Sequence, residues 1–276
     1  MTIIVQSNIG AVYGGGFSPS SLSPALWLDP SDITKYFQSN AGTTQVTDTS
    51  VCGYATDISG NAFDVKSVAD NTTRPTWNNN AGQPYLLFDG SNDFLYNATS
   101  LGMYNASGCS IFYAVRANIS GSKTAADIVS EDSFNATLQN YRLTQSNGTT
   151  ASTHVGNIRN DAGSTPLNAV TLQTGVYDNT DRVIGVTDSG SSVIGYNNGS
   201  PGTPQSYARG GTPALTATQF CLGGRGSASG GTVSPTGWQN FRLYGLVIVK
   251  RVLTTGGGSE TAQLTTWLGN KMGLSL

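Results

Sequence analysis

Pro84-Tyr85-Leu86-Leu87-Phe88-Asp89-Gly90-Ser91-Asn92-Asp93-Phe94-Leu95 is the stretch that decides the fold class. An apolar run of strand length stops at Asp89-Gly90, and Phe94-Leu95 resumes it a few residues later. The residues between are Asp, Gly, Ser and Asn, whose side chains or backbone reverse a chain. The stretch therefore reads as strand, turn, strand. The same phrase recurs along the chain. Leu26-Trp27-Leu28 precedes Asp29-Pro30, and Ser110-Ile111-Phe112-Tyr113-Ala114-Val115 is β-branched and aromatic. Ile128-Val129, Tyr141-Arg142-Leu143, Val170-Thr171-Leu172, Arg182-Val183-Ile184-Gly185-Val186, Val193-Ile194-Gly195-Tyr196, Phe220-Cys221-Leu222 and residues 243–249 follow. Short β-prone runs between turn clusters predict an all-β protein, a sandwich or a barrel. Asn197-Asn198-Gly199 predicts a tight hairpin turn.

One stretch reads as a helix. Ser259 can cap it, and Glu260 sits at the positive end of its dipole. Leu264, Trp267, Leu268 and Met272 follow at spacings of three and four, an apolar stripe for the sheets, with Lys271 in the last turn and Gly273 beyond it. Residues 1–23 read as an extended arm outside the globular domain, broken by Gly14-Gly15-Gly16 and Ser18-Pro19-Ser20-Ser21. Ile3, Ile4, Val5 and Phe17 are its candidate anchors. The arm is expected to pack on its own domain or on a neighbouring subunit, where backbone hydrogen bonds and these apolar groups would hold it.

Composition removes several functions. The 276 residues include 35 glycines, and only 11% are charged, with a net charge of −2. The usual charged share is about 25%. Neither a nucleic acid nor an anionic membrane is an expected partner. His154 is the single histidine, and Glu131 and Glu260 are the two glutamates. Cys52, Cys109 and Cys221 are far apart and read as small buried hydrophobes without a disulfide framework. A His/Cys zinc cluster cannot be built from this set in one subunit. No Gly-x-Ser-x-Gly elbow and no phosphate loop is present. The start, Met-Thr-Ile-Ile-Val-Gln-Ser-Asn, lacks the basic region and long apolar core of a signal peptide, so synthesis in a host cytoplasm is expected.

The order of the blocks resembles the concanavalin A-like lectin/glucanase superfamily, in the laminin-G-like form found in bacteriophage virion and bacterial surface proteins. The resemblance rests on Leu26-Trp27-Leu28-Asp29-Pro30-Ser31-Asp32, Asp57-Ile58-Ser59-Gly60-Asn61, Arg74-Pro75-Thr76-Trp77 and the stretch from Pro84 to Leu95. It is specific again at Leu246-Val247-Ile248-Val249-Lys250-Arg251-Val252-Leu253-Thr254 and at Trp267-Leu268-Gly269-Asn270-Lys271-Met272-Gly273-Leu274. It implies a two-sheet antiparallel β-sandwich, a jelly roll, over residues 24–276, closed by a short C-terminal helix. It implies no activity, because one fold carries many functions.

Candidate chemistry is sparse. Glycoside hydrolysis needs two carboxylates flanking the scissile bond. The Glu-x-Asp-x-x-Glu strand of the superfamily's glucanases is absent, and Glu131 and Glu260 lie far apart in sequence. Asp89 and Asp93 are candidate Ca²⁺ ligands, although an Asx turn is the simpler reading of that stretch. No other cofactor is expected. Trp77, Tyr207 and Trp238 lie among Gly, Pro, Ser and Asn and are read as loop aromatics that could meet a glycan or a protein partner. His154, in a polar stretch, is expected to be solvated.

The resulting expectation is a non-enzymatic bacteriophage virion surface protein, a head decoration or a tail or fibre component, with a lectin-like domain facing outward. The arm would bind other virion proteins, the sandwich would hold cell-surface glycans, and homo-oligomerisation is expected. The alternatives are a soluble carbohydrate-binding module or adhesin and, third, a glycan-cleaving enzyme.

Overall fold

The computed structural model describes residues 16–68, 71–104, 107–118, 124–133, 140–147, 153–159, 167–208, 218–224 and 237–276. Among them the chain forms two antiparallel sheets of ten strands each and one α-helix, Glu260–Asn270. The predicted β-sandwich is thus the observed fold.

The first sheet is centred on Asp178–Asp188, Cys109–Asn118, Asn240–Val249 and Gln83–Asp89, in that spatial order. Leu26–Leu28 pairs with the end of Asn240–Val249, so the beginning and the end of the domain meet in one ladder. The second sheet runs from Leu167–Gln173 through Thr153–Arg159, Asn140–Asn147, Val129–Ser133, Thr218–Leu222 and Leu95–Asn97 to Tyr36–Phe37. Runs of consecutive strands alternate with long crossings, such as Val129–Ser133 beside Thr218–Leu222 and Cys109–Asn118 beside Asn240–Val249, the crossing connectivity of a jelly roll.

The period-2 geometry of a strand explains why Ser110-Ile111-Phe112-Tyr113-Ala114-Val115 is apolar without interruption. Ile111, Tyr113 and Val115 point into the core between the sheets. Phe112 and Ala114 point the other way, into a second core with Val247, Val249, Leu264 and Leu268. The helix covers this outer face. Both faces of the central strands are therefore dry.

Local signals in the sequence build the helix as predicted. The Ser259 hydroxyl accepts the Ala262 N–H at 3.4 Å. Leu264 and Leu268 are fully buried, each contributing about 2 kcal/mol to the docking. Two contacts tie the helix to distant strands. Trp267 meets Trp27 edge to face at 5.7 Å, and Lys271 Nζ lies 2.7 Å from Asp29 Oδ2. Leu26-Trp27-Leu28-Asp29 is thus the seat of the closing helix. No helix among the described residues is long and apolar enough to cross a membrane.

Glycine is demanded at two places. Gly185 faces Phe112 across the ladder, and a Cβ there would lie 2.3 Å from the phenyl ring. Gly199, with φ +81°, follows Asn198, with φ +48°, in the predicted hairpin turn. Two successive positive φ angles are the geometry of a type I′ turn.

Of the arm, Pro19–Leu22 is a 3₁₀ turn capped by Ser18. Phe17 packs against the second core, and Leu22 is buried in it. Ile3, Ile4 and Val5 lie outside the described residues.

Candidate functional site

A cleft of about 310 Å³ lies where four separate chain segments meet. Its walls come from residues 23–25, from Asn61 and Phe63, from Ser100 and Leu101, and from Lys250. Each wall is fixed by hydrogen bonds that start from a recognisable residue.

The first wall leads into Leu26–Leu28. The Ala25 N–H donates to Ile248 O at 2.7 Å, and Ser23 takes the left-handed conformation that ends the 3₁₀ turn. The second wall hangs on Asp57. Its Oδ1 accepts the N–H groups of Trp27 at 3.0 Å and Ser59 at 2.9 Å, and its Oδ2 accepts Ser59 Oγ at 2.7 Å and the Phe63 N–H at 3.1 Å. Asn61 Nδ2 then donates to Pro24 O at 2.8 Å, lacing the second wall to the first. The Phe63 ring is braced edge to face on Phe220 at 5.5 Å.

Glu131 holds the third wall. Its Oε1 accepts Ser100 Oγ at 2.7 Å and the Gly102 N–H at 2.8 Å, and its Oε2 accepts the Met103 N–H at 2.8 Å. The carboxyl group is fully buried. Burial raises its pKa, and the Ser100 hydroxyl and backbone N–H donors oppose that rise. The fourth wall is Lys250, exposed at the end of Asn240–Val249, whose Nζ donates to Leu101 O at 3.4 Å.

The cleft thus presents an ammonium group, hydroxyl and amide oxygens, and one aromatic surface on a framework of backbone hydrogen bonds. No carboxylate is among its lining residues. The sequence reading named none of these residues as a site; Asn61 and Lys250 entered it only as members of the Asp57–Asn61 and Leu246–Thr254 blocks. Glu131 carried one usable signal, as one of the two glutamates in a chain poor in charge.

None of the three aromatics singled out from sequence lines this cleft. Trp77 is no loop residue. It lies in the strand Thr76–Asn80, is 3% exposed, and donates from Nε1 to Pro30 O at 3.1 Å. Its polar neighbours disguised it, because alternate residues of an edge-side strand face solvent. Tyr207 is also buried, and its hydroxyl donates to Asp188 Oδ1 at 2.7 Å. Trp238 is half-buried, with its indole N–H shielded from water and unpaired among the described residues. His154 is fully buried rather than solvated, facing Tyr177 edge-on at 6.2 Å, with Nε2 hydrogen-bonded to Leu143 O. Burial lowers its pKa to about 4.

Asp89 and Asp93 form the Asx turn. Asp89 Oδ1 accepts the Ser91 N–H at 2.7 Å, and Asp93 Oδ2 accepts the Asp89 N–H at 2.8 Å. Burial lifts the Asp93 carboxyl to about 7. Among the described residues no group of three or more His, Cys, Asp or Glu is arranged to hold a metal ion. Glu260 is bound bidentately by Arg251 at 2.8 and 2.6 Å. Cys52, Cys109 and Cys221 are buried free thiols, as the sequence predicts.

No protein-family model matches the sequence, and no curated protein matches it. Solved structures do match the fold. The binding domain of Paraclostridial Mosquitocidal Protein 1 superposes with a TM-score of 0.55 and 13% identity, over 78% of this chain and 50% of that one. The binding domain of botulinum neurotoxin DC, solved in complex with SialylT, gives 0.55 and 12%, over 92% and 52%. A Trypanosoma rangeli sialidase in complex with 2,3-difluorosialic acid gives 0.55 and 11%, over 91% and 33%. The chain spans about half the length of the toxin binding domains it matches. The jelly-roll sandwich is what they share.

Proposed function

We propose that this chain is a non-enzymatic carbohydrate-binding jelly-roll protein, carried on a bacteriophage virion as a head decoration or a tail or fibre component. The observation that carries the binding role is the cleft between Phe63, Asn61, Ser100 and Lys250. Its volume falls at the lower end of the range of small-molecule sites, about 300–1,000 Å³, and it offers a few fixed polar groups beside an apolar surface. A sugar ring has the same character, with hydroxyls at its edge and C–H groups on its face. The similar folds include a toxin binding domain in complex with SialylT and a sialidase holding a sialic acid derivative, which supports a glycan as the ligand class.

No described residue of the cleft lining is an acid, which supports binding without cleavage, since glycoside hydrolysis needs two carboxylates at the bond. The virion role rests on the sequence resemblance. Residues 1–23 would anchor the protein to other virion proteins, and copies would associate as a homo-oligomer. A soluble carbohydrate-binding module or adhesin would use the same cleft.

A glycan array probed with the full chain tests the binding role. Capture of a defined glycan is expected, and on adding it to the labelled chain, NMR chemical-shift changes confined to Ser23, Asn61, Phe63, Ser100, Leu101 and Lys250. A blank array, or shifts at another surface, would refute it. Deletion of residues 1–15 separates virion from soluble roles. Loss of particle incorporation with retained glycan binding is expected, and unimpaired incorporation would remove the anchor.

A further inference from the structure

The structure points to the chemical class of the ligand: we propose that the cleft selects a saccharide bearing a carboxylate, which pairs with Lys250. This rests on the cleft being the saccharide site.

Asn61 spends its amide N–H groups on Pro24 O at 2.8 Å and Ser59 Oγ at 3.0 Å, leaving its side-chain oxygen to accept. Ser100 gives its hydroxyl proton to Glu131 and accepts the Gly102 N–H at 2.8 Å, so toward a ligand its oxygen can only accept, with one lone pair left. Both groups suit sugar hydroxyls acting as donors. Lys250 is different. It carries only donors and a full charge, and among the described residues its one hydrogen bond is the 3.4 Å contact to Leu101 O.

Lys250 is the cation among the described lining residues of the cleft, and like Lys35, Lys66 and Arg242 it lacks, among the described residues, the carboxylate partner that other cations have. Arg116 pairs with Asp181, Arg182 with Asp178, Arg251 with Glu260 and Lys271 with Asp29. No carboxylate of a described residue lies within ion-pair distance of Lys250. Glu131, which holds the neighbouring wall, gives its oxygens to Ser100, Gly102 and Met103. A ligand that supplies hydroxyl donors on one side and an anionic acceptor on the other completes the set. A sugar acid does so.

Calorimetry on the full chain tests this with methyl β-D-glucuronide and methyl β-D-glucoside, which differ only at C6, and with N-acetylneuraminic acid. The acids are expected to bind about tenfold tighter than the glucoside, as a charge-assisted hydrogen bond implies. Raising salt from about 50 to about 500 mM should narrow that gap. Lys250→Met should abolish the gap, Lys250→Arg should keep most of it, and both should melt like the parent. Equal affinity for glucuronide and glucoside, or a gap that survives Lys250→Met, would overturn the acid preference and leave the cleft a saccharide site. Failure of every acidic and neutral glycan to bind would overturn both.

Discussion

The Tyr141 hydroxyl donates to Asp188 Oδ2 at 2.9 Å, joining a strand of one sheet to a strand of the other through the sandwich core. Tyr207 donates to the other oxygen at 2.7 Å, and so does the Gly190 N–H at 2.7 Å. Asp188 is fully buried, so its removal takes an acceptor from all three donors.

Asp188→Ala is therefore expected to destabilise the fold by about 3 kcal/mol or more, because stranded buried donors are penalised beyond the lost bonds. Tyr141→Phe should lose about 1 kcal/mol, since Asp188 keeps its other donors. Urea unfolding of both variants and of the Tyr141→Phe/Tyr207→Phe pair measures this. Equal losses for Asp188→Ala and Tyr141→Phe would show that the link is marginal.

Gly185→Ala should destabilise by about 2 kcal/mol through overpacking against Phe112. Phe112→Leu, harmful alone, should recover part of that loss in the double variant, because the residues are cross-strand partners in contact. Strictly additive effects would mean that the strand shifts to accept the methyl group.

His154 should cost stability in mild acid. Its pKa is lowered by burial to about 4, against 6.5 for a free imidazole. The unfolded chain binds the proton first, so the contribution is intact above about 6.5 and is lost as pH falls toward 4. The full loss is on the order of 3 kcal/mol. The raised carboxyl of Asp93 acts in the opposite direction over the same window, so the loss is read as a difference between variants. Unfolding curves at intervals between these limits should show His154→Gln gaining on the parent as pH falls. Matching slopes would place the proton uptake elsewhere.

Glu131→Gln should loosen the cleft without unfolding the protein. A glutamine keeps one oxygen and puts an NH2 in place of the other, so either Gly102 or Met103 loses its acceptor. Hydrogen exchange at the amide that loses it should speed up by about tenfold or more, with weaker glycan binding. Unchanged exchange at both would dissociate Glu131 from the wall.

Much of the fold was legible because it depends on local signals. The spacing of Leu264, Trp267 and Leu268, the Ser259 cap and the Asn198-Gly199 turn each act within a few residues. The cleft was not legible, because residues 23–25, 61–63, 100–101 and 250 are brought together only when the sheets close. Trp77, Tyr207 and His154 misled for a related reason. Polar sequence neighbours suggest exposure, yet strand register and inter-sheet hydrogen bonds decide which side chain turns inward.

A crystal of the full chain soaked with its best array glycan tests the central claim most directly. The predicted result is a sugar ring against Phe63, hydrogen-bonded to Asn61 and Ser100, with its acidic group at Lys250. A glycan seated on another surface, with this cleft unoccupied, would contradict it.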